Sequence, residues 1–176
     1  MTLRYIPKEI WTLDKLSVGW VYPLASVTTG TSVANLACFY PLYLPESFTF
    51  DTVLTVNNAN APAGNFDFGI YSSDTFARIV SLGSTAVAGS ASIRQEYAIT
   101  ETVLAAGAYY MAVVKDTATT GTFQRVDLAA STTAAAYGLA FQASAFPLPD
   151  PMVPLRTAAQ NPFLYRVGIR QSGASF

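Results

Sequence analysis

No histidine occurs among the 176 residues, and there is one cysteine, Cys38. The first absence removes the commonest general base, the commonest metal ligand and every Ser-His or Cys-His nucleophile pair. The second excludes an intrachain disulfide and a thiolate metal cluster, and leaves Cys38, between Ala37 and Phe39, as a small buried hydrophobe. Charge is also scarce, at 12% of residues against 51% hydrophobic, roughly half the usual share. With a net charge of −1 and no basic cluster beyond Arg166 and Arg170, there is no field to attract nucleic acid. Residues 16 to 45 carry no charge, but Pro23, Pro41, Pro45 and the run Thr28-Thr29-Gly30-Thr31-Ser32 interrupt them. No apolar span reaches the ~20 residues that a bilayer requires, so no membrane partner is expected. The opening Met-Thr-Leu-Arg-Tyr-Ile-Pro-Lys-Glu has no apolar signal-peptide core.

Recognisable chemistry is missing as well. There is no phosphate loop with its lysine, no dinucleotide fingerprint and no zinc motif. Two carboxylates would suffice for a glycosidase, yet no paired-acid motif is present. Asp51 and Asp67 fall on outward strand faces, while Asp74 and Asp116 fall in turns, where aspartate bonds its own backbone. Asn65, Asp67 and Asp74 offer oxygens of the kind calcium takes, at a spacing that matches no known loop. No catalytic, cofactor-binding or metal-binding residue is assigned, and no cofactor is expected.

What the chain does have is alternation. In Gly64 to Ser73, Phe66, Phe68 and Ile70 fall on one side of an extended chain and Asp67, Gly69 and Tyr71 on the other. Turn residues bracket the run, so it reads as a central core strand. Ala77 to Leu82 reads as its hairpin partner, with Asp74 and Thr75 in the turn. Val33 to Leu44 alternates, Leu36, Cys38, Tyr40, Leu42 and Leu44 against Ala37, Phe39, Pro41 and Tyr43, apolar on both faces, with Pro41 marking an edge or a kink. Phe48 to Val56 is one-sided, with Phe48, Phe50, Leu54 and Val56 opposing Thr49, Asp51, Val53 and Thr55; Ile93 to Thr100 alternates, and Ala108 to Val114 is apolar on both faces. Further strands follow at 123–128, 137–141 and 163–170.

Eight or nine short strands with regular turn signals predict an all-β, antiparallel, jelly-roll-like β-sandwich. The expected organisation is an N-terminal arm over 1–24, a sandwich over 25–145, and a proline-rich connector with a C-terminal strand over 146–176. Deleting either arm is expected to leave the sandwich folded. A surface this poor in charge is a weak barrier to association, which favours an assembly component over a free monomer. Trp11 and Trp20 are candidate anchors in a partner's pocket or caps on the chain's own core. Tyr43, Tyr71 and Tyr110, on strand faces opposite the core, suit stacking on sugar rings or, since both faces of these strands need cover, a second sandwich layer or a subunit interface. Phe163 and Phe176 complete the candidate contact residues.

Asn65-Phe-Asp-Phe-Gly-Ile-Tyr-Ser-Ser-Asp74, Arg78-Ile-Val-Ser-Leu-Gly-Ser84 and Thr102-Val-Leu-Ala-Ala-Gly-Ala-Tyr-Tyr110 resemble a β-sandwich module of tailed-bacteriophage virion proteins. The resemblance spans about residues 48 to 115; similar Gly-x-Tyr-Tyr strands occur in secreted carbohydrate-binding modules. It implies a non-enzymatic structural protein located in the virion. The first expectation is a capsid decoration or cement protein that self-associates, as a trimer among other forms, and binds the major capsid protein. The alternative is a tail or fibre adaptor that adsorbs to a host surface glycan.

Overall fold

The strand expected at the centre forms as β4, Asn65–Ser72, and it turns Phe66, Phe68 and Ile70 into the main core. In the computed structural model, structure is described for residues 8–11, 33–57, 63–90, 93–116, 123–127, 138–143, 145–153 and 163–174. All described elements are strands. They are β1 Glu9–Trp11, β2 Ala37–Leu44, β3 Phe48–Val56, β4, β5 Arg78–Ser81, β6 Thr85–Ala86, β7 Arg94–Leu104, β8 Gly107–Lys115, β9 Arg125–Asp127, β10 Ala140–Gln142, β11 Phe163–Tyr165 and β12 Val167–Gln171.

These strands form an antiparallel β-sandwich. One sheet has the order β1-β12-β3-β7; the other has β10-β2-β8-β4-β5, with β6 also on β4; β11 and β9 form a separate pair. The chain crosses between the sheets repeatedly, from β2 to β3, β3 to β4 and β7 to β8. Between the sheets lie Leu36, Cys38, Tyr40, Leu42 and Leu44 of the β2 region, Phe48, Phe50 and Val53 of β3, Met111 and Val113 of β8, and Val167 and Ile169 of β12. Period-two alternation put each of them inward except Val53, which was expected outward with Leu54 and Val56 inward. A register shift between Phe50 and Thr52 reverses the alternation there and turns Val53 into the core. Burial of that apolar surface drives the fold. Cys38 is among them, its thiol pushed up to about 12 by burial and kept inert. Pro41 lies past the short stretch, Ala37–Phe39, over which β10 pairs with β2, so its missing N–H breaks no ladder bond on that side.

The described portions of the two expected arms are built into this sandwich. β1 pairs with β12, and β12 lies inside the four-stranded sheet, between β1 and β3. Removing 146–176 would therefore take out an internal strand, which corrects the expectation that the sandwich survives that deletion. The alternation from Phe163 to Ile169 is divided between β11 and β12. At the break, the Arg166 N–H donates to the Gln124 carbonyl at 2.8 Å.

Candidate functional site

The outer face of the six-stranded sheet is itself a second apolar layer. Phe39, Tyr71, Ala112 and Val114 point to it and pack with Ala145, Leu148 and Met152 of the proline-rich segment. That segment, expected as a connector, lies across the sheet in its described part as a strap over 145–153. Two of its N–H groups reach sheet or turn acceptors: Leu148 N to Asp67 Oδ2 at 3.0 Å and Met152 N to Phe76 O at 3.0 Å. Arg78 holds it from the side, with its guanidinium on Leu148 O at 2.6 Å and its N–H on Asp150 Oδ1 at 2.9 Å. Beneath the strap Gly69 leaves a notch: a Cβ there would stand 3.0 Å from Leu148 Cδ1 and 3.1 Å from Val80 O.

Asp67 is the buried polar centre of this clamp. Its side chain does face outward from the sheet, yet it is 0% exposed. It accepts from Ser81 Oγ at 2.8 Å, Gly83 N at 2.9 Å and Leu148 N at 3.0 Å. Burial pushes its carboxyl above the ordinary 3.8, opposed by those three donors and by the nearby Arg78 charge. The calcium reading finds no support, since Asn65 binds Asp116 and Asp74 sits in the exposed turn after β4. Among the described residues no group of three His, Cys, Asp or Glu is placed to hold a metal ion.

As a candidate contact residue Tyr71 requires a correction, because it takes the second-layer role instead: it is 0% exposed, its ring edge-on to Phe39 at 5.6 Å and its hydroxyl donating to Pro149 O at 2.5 Å. Alternation placed it correctly on the outer face, but the strap covers that half of the face. Tyr43 is 67% exposed, opposite Ala108 in the ladder, and Pro41 lies opposite Tyr110 on the same face. The Phe76 ring stands 6.4 Å from the Tyr110 ring. Pro41, Tyr43, Phe76, Ala108 and Tyr110 thus form an uncharged, aromatic patch beside the strap. Two of the expected contact residues, Tyr43 and Tyr110, are brought together here.

The opposite outer face, on the four-stranded sheet, is charged. Arg94 meets Glu9 at 2.7 Å and Glu96 at 2.8 Å, and Arg170 meets Glu96 at 2.7 Å. Burial acts to raise the Glu96 carboxyl, but the two guanidiniums outweigh it and hold the group below its ordinary value. Trp11 falls in a row with Gly168, Leu54 and Glu96 across four strands. Its Nε1–H donates to Glu9 at 3.0 Å, and the Arg94 and Arg166 guanidiniums lie 6.0 and 5.6 Å from its ring centre. Glycine at 168 makes room for the indole, since a Cβ would come within 3.0 Å of Trp11 Cδ2 and 2.6 Å of Ile10 O. Trp11 therefore caps the chain's own sheet, the second of the two roles open to it. Trp20, Phe176 and the side chain of Phe163 lie outside the described residues.

One pair of acids does meet: the Ser172 hydroxyl lies between Asp51, at 3.2 Å, and Glu101. A general acid of a glycosidase needs shelter from water, and Glu101 is exposed at the surface. No sequence signal pointed to this pair, to the Asp67 clamp or to the strap, because each joins segments far apart in the chain.

No family model matches this sequence, and no curated protein matches it. Among solved structures, Xyl-CBM35, a carbohydrate-binding module in complex with a disaccharide containing glucuronic acid, is 14% identical with a TM-score of 0.36, over 57% of this chain and 79% of that one. A family 35 carbohydrate-binding module from an environmental isolate is 17% identical with a TM-score of 0.36, over 55% and 70%. Both are similar to this chain at a distance that assigns it no ligand.

Proposed function

We propose that the chain is a non-catalytic structural module of a tailed-phage virion that self-associates and docks on neighbouring subunits through the open half of its six-stranded sheet. The observation that carries this reading is the contrast between the two outer faces: one is laced with ion pairs, and the other exposes the uncharged Pro41, Tyr43 and Ala108 beside a half-buried Tyr110. Desolvating such a patch gains free energy in proportion to its apolar area, and aromatic side chains are the usual anchors of interfaces. The ion-paired face would then look outward, as on a decoration protein. The described acids support a non-catalytic role, since Asp67 and Asp116 are engaged within the fold.

Sedimentation velocity over a concentration series tests the reading. The wild-type chain is expected to form discrete oligomers, and Tyr43→Ala, which removes an exposed ring and leaves the core untouched, is expected to shift it to monomer. Wild-type protein that stays monomeric at every concentration contradicts the reading. A second reading, adsorption to a host glycan, has one observation in its favour: Tyr43 and Tyr110 sit diagonally on one strand face, a spacing at which two rings can stack on a sugar chain. Glycan-array binding that is lost in Tyr43→Ala, with oligomeric state unchanged, would select it over the first.

A further inference from the structure

The contacts beneath the strap address its main chain. Asp67 Oδ2 accepts from Leu148 N at 3.0 Å and Phe76 O from Met152 N at 3.0 Å. The Arg78 guanidinium donates to Leu148 O at 2.6 Å, and the Tyr71 hydroxyl to Pro149 O at 2.5 Å. Side chains are met at two further points: Leu148 fills the notch over Gly69, and Asp150 Oδ1 accepts from Arg78 N at 2.9 Å. Main-chain groups for grip and pockets for chosen side chains are how a groove binds an extended peptide. Proline at 147, 149 and 151 suits such an occupant. It carries no N–H in need of an acceptor over an apolar floor, and its fixed φ lowers the entropy lost on seating.

The groove has its own frame. No residue of 145–153 belongs to a strand, and the ladders of β2, β8, β4 and β5 run beneath it between their own partners. The floor of Phe39, Tyr71, Ala112 and Val114 therefore keeps its backbone when the strap lifts. A segment without ladder bonds opens at lower free energy than the strands under it.

We propose that this outer groove is a peptide-binding site and that the strap is its ligand in cis. In trans it takes an extended segment of another protein in which proline alternates with a leucine and an acidic residue, as Pro147-Leu-Pro-Asp-Pro151 does here. The strap keeps the site filled until such a segment competes, so apparent affinity is set by how readily the strap lifts. The Tyr43 patch takes no part in this site, and failure here would leave the self-association reading untouched.

The probe is the free peptide of residues 145–153, added to the full chain and followed by calorimetry. Wild type should bind it weakly, and Leu148→Ala, whose strap has lost its anchor, at least roughly tenfold more tightly, because more of the groove is vacant. Peptide at about 1 mM should also raise the thermal midpoint of that variant, as any ligand of the folded state does. The same peptide with alanine in place of its leucine should do neither. Asp150→Ala, at an exposed position, loosens the strap without touching the apolar layer and is read in the same way, so a poorly folded Leu148→Ala does not end the test. Adding Arg78→Ala to either variant should abolish binding. Equal affinity for wild type and the loosened variants would place the peptide elsewhere and overturn the proposal. So would binding indifferent to the leucine or to Arg78, or unchanged midpoints at about 1 mM peptide.

Discussion

On the outer face of the six-stranded sheet, cover comes from the main chain, as the 145–153 strap lays Leu148 and Met152 over Phe39, Tyr71 and Ala112. On the outer face of the four-stranded sheet, cover comes from long side chains: Trp11 over Gly168, and arginines bound to Glu9 and Glu96. A strap seals completely but only along its own length, and Tyr43, beyond it, is 67% exposed. A lattice of side chains reaches across the sheet, stays wet and repels association through its charge. Stability on the first face should depend on packing, and on the second on pH and salt.

The contrast is broken most directly by loosening the strap. Leu148→Ala removes its central buried side chain and should cost about 2–4 kcal/mol in urea unfolding, the range for a buried leucine that leaves a cavity. A loss under about 1 kcal/mol would mean that the strap is an ornament on a self-sufficient sheet. On the other face, Gly168→Ala should push the indole and β1 off the sheet, costing about 1–3 kcal/mol as overpacking does. A red shift of tryptophan emission reports it. Unchanged emission with unchanged stability would show that the close approach is not needed.

The smallest effect sharpens the comparison most, because the faces should answer acid in opposite senses. Asp67 is raised by burial, so the folded state holds its proton more tightly than the unfolded state. Its contribution is therefore most favourable below about pH 3.8 and declines as pH climbs through the folded value. Glu96 is lowered, so its contribution is present above its ordinary 4.5 and is lost as pH falls through the folded value. Asp67→Asn should remove the first trend and Glu96→Gln the second, each seen in stability measured from pH 3 to 7. Being partly exposed, the Glu96 effect should stay below about 1 kcal/mol and shrink in high salt. At the alkaline end Lys115, 1% exposed and lowered by burial from 10.5 to about 8, should make stability rise between those two values. A flat profile there would contradict its burial.

Strand positions and most faces were legible because alternation is a local signal: the inward residues of β2, β4 and β8 are those expected, whereas in β3 the register shift between Phe50 and Thr52 exchanges Val53 for Leu54. What lay beyond the sequence is what covers each outward face. Asp67 read as an outward residue, and the role of Tyr71 stayed open, because alternation tells the side of a sheet and nothing of a segment that returns about 80 residues later. Prolines made 146–162 read as a connector, since they lack donors; the strap is held instead through the N–H groups of Leu148 and Met152. β1 is three residues long and has no period to read. The aromatic patch was legible only in part: Tyr43 and Tyr110 could be named, whereas Phe76 sat in a turn where a ring had no expected place.

The position of β12 has an implication for synthesis. β3 hydrogen-bonds to β7 on one side and to Val167–Gln171 on the other, so during translation it keeps one margin bare until more than a hundred further residues have left the ribosome. Pairings of such sequence separation close late and slowly. For most of its birth the nascent polypeptide is thus a half-finished lamina with a sticky border, and a chaperone that masks that border should raise the yield more than any substitution in the finished fold.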